Sequence, residues 1–251
     1  MKTKINNILI EIEDLFIIIL ISFFFSDKIK VFLTSYYVCY MFILFHELSH
    51  IMFAMFFGKK IEKIKLSIAG VCVTFNNNGE LEIVKNLIIY MAGPLANICL
   101  AIMFNNIDFV FEINVFLAIL NLVPIYPLDG GKILNLLLFE ILPYKLANKV
   151  TVYLSLIIII VIMVYNYYEF NYTMFLTLSI LLEGIYKYYR DIDYLFNKFL
   201  LERYLYKIMY NKIKITNKLD KMQRDRTHIF KVKNRYISEE IALNKRFSGK
   251  M

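Results

Sequence analysis

Residues 42–53 read FILFHELSHIMF, a stretch that places two histidines and a glutamate inside an apolar run. Ionisable side chains are costly at membrane depth, and where they occur they face a bundle interior or a watered cavity. His46 and His50 stand four residues apart, so a helix presents both on one face. The stretch therefore predicts a functional site on a membrane-embedded helix.

The composition of the whole chain agrees with a membrane protein. Hydrophobic residues make up 59% of the 251 residues, and the mean hydropathy is +0.56, whereas soluble domains hold about 45–50% apolar residues. We predict an all-α polytopic membrane protein with about six transmembrane helices, since six runs approach the length of about 20 residues that a bilayer requires. The predicted spans are 12–27, 31–57, 86–105, 111–139 (interrupted), 149–168 and 172–189.

A polar segment, about 59–85, separates the second span from the third. Its runs IKLSIAGVCVTF and ELEIV flank NNNG, which is a strong turn signal. We predict a small β-hairpin or sheet at the membrane surface, because an open strand edge cannot face lipid.

Charge separates a membrane domain, 1–189, from a basic tail, 190–251. The tail holds 16 Lys and Arg against 7 Asp and Glu, a net charge of +9, whereas the whole chain carries +8. Because Lys and Arg collect in cytoplasmic loops, their distribution predicts that both termini are cytoplasmic. We expect the tail to form an amphipathic helix with a partly ordered end, held near anionic lipid. Nucleic acid is not an expected partner, since no nucleic-acid motif accompanies the charge.

The spacing of His46 and His50 is the one with which two imidazoles bind a single Zn²⁺, and Glu47 beside them can accept a proton from water. A histidine pair satisfied inside a helix bundle is the alternative. A catalytic zinc site takes a third protein ligand, and the best candidate is Asp129, within NLVPIYPLDGGKIL at 121–134. Prolines and glycines break a helix there, and the aspartate also suits the cap of the helix that restarts.

The two motifs together resemble the site-2 proteases, the intramembrane zinc metalloproteases. The HExxH motif of that family matches HELSH, and its NxxPxxPLDG motif matches NLVPIYPLDG, residues 121–130. The resemblance covers roughly residues 30–190. It implies a membrane-embedded metalloendopeptidase with Zn²⁺ as its cofactor.

The resemblance also assigns a role to each matching residue. The implied zinc ligands are His46, His50 and Asp129. Glu47 is then the catalytic base, and Asn121 positions the substrate or polarises the scissile carbonyl. The substrate-binding residues are Pro127 and Asn97, the latter in GPLAN, a segment similar to a further family element. A small-residue packing site with a proline kink explains GPLAN almost as well.

Six spans without an inserted PDZ domain are most similar to the branch of stage IV sporulation protein FB. That likeness implies regulated intramembrane proteolysis of a membrane-tethered sporulation sigma-factor precursor. It also implies, in a spore former, the mother-cell membrane that surrounds the forespore. Membrane regulatory or inhibitory proteins and a homo-oligomer are further partners that the likeness leaves open.

Two functions of other classes use the same residues. A membrane metal transporter would employ the two histidines and Asp129 as a transit site, with no need of a base. A catalytically inactive scaffold would retain the fold, but a binding-only site does not need Glu47.

Overall fold

The computed structural model describes residues 2–5, 8–12, 27–67, 70–76, 83–168, 172–232 and 235–247. The chain divides into two compact units, Met1–Leu122 and Val123–Met251. The first predicted span, about 12–27, falls almost wholly outside the described residues.

The first unit contains three helices and a four-stranded sheet among its described residues. Its elements are β1 (Lys2–Ile5), β2 (Ile8–Ile12), α1 (Asp27–Phe56), β3 (Lys60–Ser67), β4 (Gly70–Asn76), α2 (Ile83–Met103) and α3 (Asp108–Leu122). Helix α1 ends because Gly58 adopts a left-handed conformation, with φ of 83°, and the N–H of Lys59 returns to the carbonyl of Ala54 at 3.0 Å. This is how glycine commonly terminates a helix. The polar sheet therefore follows directly on the helix that carries HELSH.

The strands of this sheet lie in the order β1-β2-β3-β4. β1 and β2 are antiparallel, β2 and β3 are parallel, and β3 and β4 are antiparallel. Between Ile61 and Lys63 the register shifts by one residue, and such a bulge changes the phase of the side-chain alternation. The small sheet predicted for this region is thus confirmed, and it is larger than a hairpin.

The predicted position of the hairpin turn is wrong. Ser67 pairs with Gly70, so IKLSIAGVCVTF is not one strand but parts of two, connected through residues 68 and 69. Gly70, at the start of β4, is a second turn signal inside IKLSIAGVCVTF, but the prediction was based on the NNNG motif. Residues 77–82, which include the rest of NNNG, lie outside the described residues.

The second unit begins with an irregular segment, 123–128, which interrupts the predicted fourth span where prolines and glycines were expected to break it. Its elements are α4 (Asp129–Ile141), α5 (Tyr144–Tyr168), α6 (Tyr172–Tyr206), β5 (Ile213–Thr216), a 3₁₀ turn (Leu219–Lys221), β6 (Thr227–Val232), β7 (Arg235–Ser238) and α7 (Glu239–Phe247). One apolar core joins the irregular segment to α5 and α6. Its buried members include Ile125, Val152, Ile159, Leu178 and Ile185.

The tail has more structure than the sequence predicted. Helix α6 runs past residue 189 to Tyr206, so the predicted boundary falls inside a continuous helix. Residues 213–238 then form a sheet in the order β5-β6-β7, and α7 follows directly. A second core packs these elements on the end of α6. It contains Phe196, Phe199, Leu200, Met222, Phe230 and Leu243. The expected partly ordered end is therefore replaced, over its described residues, by a packed α/β segment.

Among the described residues, three helical segments are long and apolar enough to cross a membrane, by length and composition alone. They are Tyr36–Phe56, Ile83–Met103 and Tyr144–Tyr167. They coincide with the predicted second, third and fifth spans. A mostly helical membrane protein with a small sheet is thus supported, whereas the number of six spans stays a prediction.

Candidate metal centre

The two histidines of HELSH face each other along α1. Their rings are 4.7 Å apart between centroids, and their Nε2 atoms are 3.1 Å apart. His46 is buried and His50 is half-buried. The predicted placement of both imidazoles on one helix face is therefore what the structure contains.

Each histidine uses its other ring nitrogen to contact α2. Nδ1 of His50 donates to the carbonyl oxygen of Ile89 at 2.6 Å, and Nδ1 of His46 lies 2.6 Å from Oδ1 of Asn97. A carbonyl oxygen can only accept, so Nδ1 of His50 carries the proton and Nε2 of the neutral ring is bare. Metal-binding histidines show this pattern, with the outer nitrogen bonded to a carbonyl or carboxylate.

The backbone of α2 approaches the two rings at Gly93. A Cβ atom there would lie 2.3 Å from Nε2 of His50 and 2.5 Å from Nε2 of His46. No side chain fits in that space, because real Cβ contacts are never so short. The glycine of GPLAN therefore lets a helix backbone pack directly against the histidine pair.

Glu47 is half-buried and follows His46 on α1. Successive helical residues are about 100° apart around the axis. Glu47 therefore lies on α1 beside the helix face that carries the imidazoles. A base next to a metal site is expected at such a position.

Asp129 is the first residue of α4 and is 3% exposed. Its Oδ1 lies 2.9 Å from Nζ of Lys132, one turn further along the helix. Leu128 occupies the N-cap position, and its side chain makes no capping hydrogen bond. The alternative that Asp129 itself caps the restarted helix is therefore not what the structure shows, although a negative charge in the first turn suits the helix dipole.

The Nε2 atoms of His46 and His50 are the two donors that α1 offers to a metal. Two ligands of a tetrahedral Zn²⁺ are about 3.3 Å apart, given zinc–nitrogen bonds of about 2.0–2.1 Å. The separation of 3.1 Å between the two Nε2 atoms is close to that value. The donor types and their spacing thus fit zinc.

Known proteins share sequence similarity with this chain. Residues 103–165, which include PLDGG but not HELSH, match Peptidase family M50. Stage IV sporulation protein FB of Bacillus subtilis (strain 168) is 31% identical over 178 residues, 64% of this chain and 61% of that protein. A zinc metalloprotease of Methanocaldococcus jannaschii is 26% identical over 188 residues, 67% of this chain and 54% of that protein.

A solved structure shares the fold. The site-2 protease from Methanocaldococcus jannaschii aligns with a TM-score of 0.55 and 23% identity, over 74% of this chain and 94% of that one. The resemblance to the site-2 proteases is confirmed. The chain spans about three fifths of the length of its first curated relative. These matches show that the chain is similar to Peptidase family M50, to stage IV sporulation protein FB and to a zinc metalloprotease.

The structure also describes the contacts of Asn121 and Pro127, two residues to which the site-2 protease resemblance assigns a role with the substrate. Nδ2 of Asn121 donates to the carbonyl of Leu117 at 3.0 Å, which leaves its Oδ1 as the end that can turn to another group. The ring of Pro127 packs towards Gly184 of α6, where an added Cβ would lie 2.9 Å from Cδ of the proline. Roles of these two residues in positioning substrate stay predictions.

Asn97 lies elsewhere than its predicted substrate-binding role requires. It has no exposed surface, and both ends of its amide are bonded: Oδ1 to His46, and Nδ2 to Oδ1 of Asn114 at 3.0 Å. The structure therefore makes it a support for a histidine rather than a group that faces substrate. The sequence prediction did not include Asn114, although an asparagine in the middle of an apolar helix was a visible signal.

Proposed function

We propose that this chain is an intramembrane zinc metalloprotease, in which His46, His50 and Asp129 hold the metal and Glu47 is the base. The observation that carries the proposal is the pair of imidazoles on one face of α1, whose Nε2 atoms lie 3.1 Å apart, with a glutamate next in the helix. The relatives named as metalloproteases support the same reading.

A zinc ion held by His46, His50 and Asp129 would act as a Lewis acid and would make water a stronger nucleophile at neutral pH. Glu47 accepts a proton from the attacking water as the new C–O bond forms at the scissile carbonyl. It then delivers that proton to the leaving nitrogen as the peptide C–N bond breaks. Asn121, whose Oδ1 is not used in its bond to Leu117, orients the backbone of the substrate.

Replacing Glu47 with glutamine tests this mechanism. We expect Glu47→Gln to lose at least about 10²–10⁴-fold in cleavage rate, because the amide cannot accept the proton. Zinc content should stay at the wild-type value, since the ligands remain. Glu112→Gln, on the exposed surface of α3, is the matched control and should cleave normally. Proteolysis that persists in Glu47→Gln would remove Glu47 from the mechanism.

The substrate that we propose is a membrane-tethered protein, specifically a sporulation sigma-factor precursor. The 31% identity with stage IV sporulation protein FB supports this choice. Co-expression of candidate precursors with the wild type or with Glu47→Gln is the test. Release of a precursor by the wild type alone supports the proposal, and intact precursor in every pairing refutes this substrate class.

The same relative supports proposals about location and partners. We place the chain in the membrane between mother cell and forespore, with both termini in the cytoplasm. Anionic lipid is the proposed contact of the basic tail, which carries +9. Regulatory membrane proteins and a second copy of the chain are further partners to be sought by co-purification. Metal transport and a scaffold role have no observation in their favour.

A further inference from the structure

A chain of three hydrogen bonds connects His46 to the backbone of α3. Oδ1 of Asn97 lies 2.6 Å from Nδ1 of His46, and Nδ2 of Asn97 donates to Oδ1 of Asn114 at 3.0 Å. Nδ2 of Asn114 donates in turn to the carbonyl of Val110 at 2.8 Å. Both asparagines have no exposed surface, so water does not compete for these bonds.

The direction of the chain is set at its far end. The carbonyl of Val110 can only accept, so the amide end of Asn114 that faces it must be the nitrogen. Oδ1 of Asn114 therefore faces Asn97 and can only accept, which turns the nitrogen of Asn97 towards it. Oδ1 of Asn97 is then the atom beside His46, and it requires a proton on Nδ1 of that ring.

We propose that Asn114 is a positioning residue that selects the metal-binding tautomer of His46. By holding the amide of Asn97 in one orientation, it keeps the proton on Nδ1 and leaves the Nε2 lone pair for a metal. The proposal rests on the proposed function, since it takes His46 as a zinc ligand. His50 needs no such residue, because its Nδ1 donates to the backbone carbonyl of Ile89. Unlike a side-chain amide, a carbonyl cannot flip to present a donor.

Loss of Asn114 has a definite consequence. Nδ2 of Asn97 would lose its acceptor in a buried position, which is unfavourable. A flip of the amide would then present Nδ2 to Nδ1 of His46, and that contact needs a lone pair on Nδ1. The proton moves to Nε2, so the ring can no longer bind zinc through that atom.

The experiment measures zinc affinity of the purified full-length protein in detergent, by competition with a chelator. Asn114→Leu removes both polar ends at similar volume, and we expect about 10–100-fold weaker binding, as for other outer partners of a metal-binding histidine. Asn166→Leu is the matched control. That asparagine is also buried on a helix, in the last turn of α5, and its loss should leave zinc affinity unchanged.

A second substitution separates tautomer control from mere packing. In the double variant Asn97→Asp with Asn114→Leu, residue 97 carries a carboxylate, which accepts from Nδ1 of His46 in either orientation. We expect the double variant to bind zinc nearly as tightly as the wild type. A packing role predicts the opposite, because the double variant buries an added charge beside leucine. Asn114→Ala, alone and with Asn97→Asp, replaces the leucine variants if those do not fold.

Each outcome is decisive. Asn114→Leu binding zinc as tightly as the wild type overturns the inference, and so does a double variant as weak as the single one. A wild type that binds no zinc overturns the proposed function itself, and the inference with it. Weak binding by Asn114→Leu together with rescue by Asn97→Asp supports both.

Discussion

At the scale of single residues, Asp129 forms an ion pair and is also a proposed zinc ligand. Its carboxylate is buried at the start of α4 and forms an ion pair with Lys132, whose side chain is 36% exposed. A partly exposed ion pair contributes about 1 kcal/mol or less. The ion pair is therefore a weak reason for an aspartate to occur at this position, and the proposed metal binding is a stronger one.

Two substitutions distinguish these roles. Asp129→Asn keeps the shape but provides a poorer zinc ligand, and we expect it to weaken zinc binding by more than the about 10–100-fold that loss of an outer partner causes. Lys132→Met removes the ion pair and keeps the carboxylate of Asp129, so it should change zinc affinity by less than about tenfold. Chelator competition measures both. Equal losses in the two variants would indicate that the ion pair, not ligation, is what the site requires.

Most residues of the candidate site could be predicted from the sequence. HELSH and PLDGG carry the ligand types at recognisable spacing, because ligand chemistry restricts residue type. The hydrogen bonds that hold the ring of His46 could not be predicted from the sequence. Asn97 is 51 residues from His46 in the chain, and Asn114 is 17 residues from Asn97. Only helix packing decides that such distant amides meet.

At the scale of elements, the irregular segment 123–128 determines where α4 begins. The N–H of Leu128 returns to the carbonyl of Ile125, and the N–H of Tyr126 donates to Oγ of Ser155 on α5 at 2.9 Å. The ring of Tyr126 stacks on Tyr188 of α6, 3.7 Å between centroids. Contacts with two helices thus hold the segment in place, and Asp129 with it.

Gly131 is the tightest point of this element. An added Cβ would lie 2.4 Å from both the carbonyl carbon of Ile125 and the nitrogen of Tyr126. Because these are backbone atoms, the segment must shift as a whole. We expect Gly131→Ala to destabilise the protein by about 1–3 kcal/mol, as overpacking does, and to lower zinc affinity by displacing Asp129.

Denaturant unfolding in detergent and chelator competition measure the two effects of Gly131→Ala. The metal-free protein should show the loss of stability as well, since the clash does not involve the metal. Wild-type behaviour in both measurements would mean that the segment does not position Asp129.

Elements were predicted well where hydrophobic length alone decides them. The second, third and fifth spans agree with α1, α2 and α5 to within a few residues. The strands of the sheet and the length of α6 were predicted less well. A strand is short and depends on its neighbours, and an amphipathic helix can continue past the end of its apolar run.

At the scale of the whole chain, the tail is fastened to the helices by a buried polar cluster. Arg203 near the end of α6 forms an ion pair with Glu239 of α7, 3.0 Å between Nη1 and Oε1. The same carboxylate accepts from the N–H of His228 at 2.8 Å. Gln223 adds a bond from Nε2 to the carbonyl of Ile141 at the end of α4. These contacts connect the tail to α4, the helix that begins with Asp129.

The charge on Glu239 makes the tail sensitive to acid. Burial alone would raise the pKa of this carboxyl, but the hydrogen bonds from His228 and the charge of Arg203 outweigh burial and hold the pKa below its usual range. A carboxyl whose folded-state pKa is lowered contributes stability above its unfolded-state pKa, about 4.3. That contribution is lost as the pH falls from there towards the folded-state value.

We therefore expect Glu239→Gln to loosen the tail and to reduce its acid dependence. Removing one partner of a buried ion pair costs about 3–5 kcal/mol. Glu240→Gln is the matched control, because its ion pair with Lys207 is exposed to solvent and should contribute little to stability. Hydrogen exchange of residues 213–247, followed from neutral pH to well below the unfolded-state pKa of about 4.3, measures both. Equal protection in the two variants would contradict the assignment.

The sequence by itself indicated a membrane protein and predicted a site of two histidines, a glutamate and an aspartate, because apolar length and ligand type are local properties. The tertiary structure decided what the sequence left open: the bond from Asn114 through Asn97 to His46, the glycine approach at Gly93, and the folded tail with its buried Arg203 and Glu239. Each depends on segments far apart in the chain, and only close packing brings them within bonding distance.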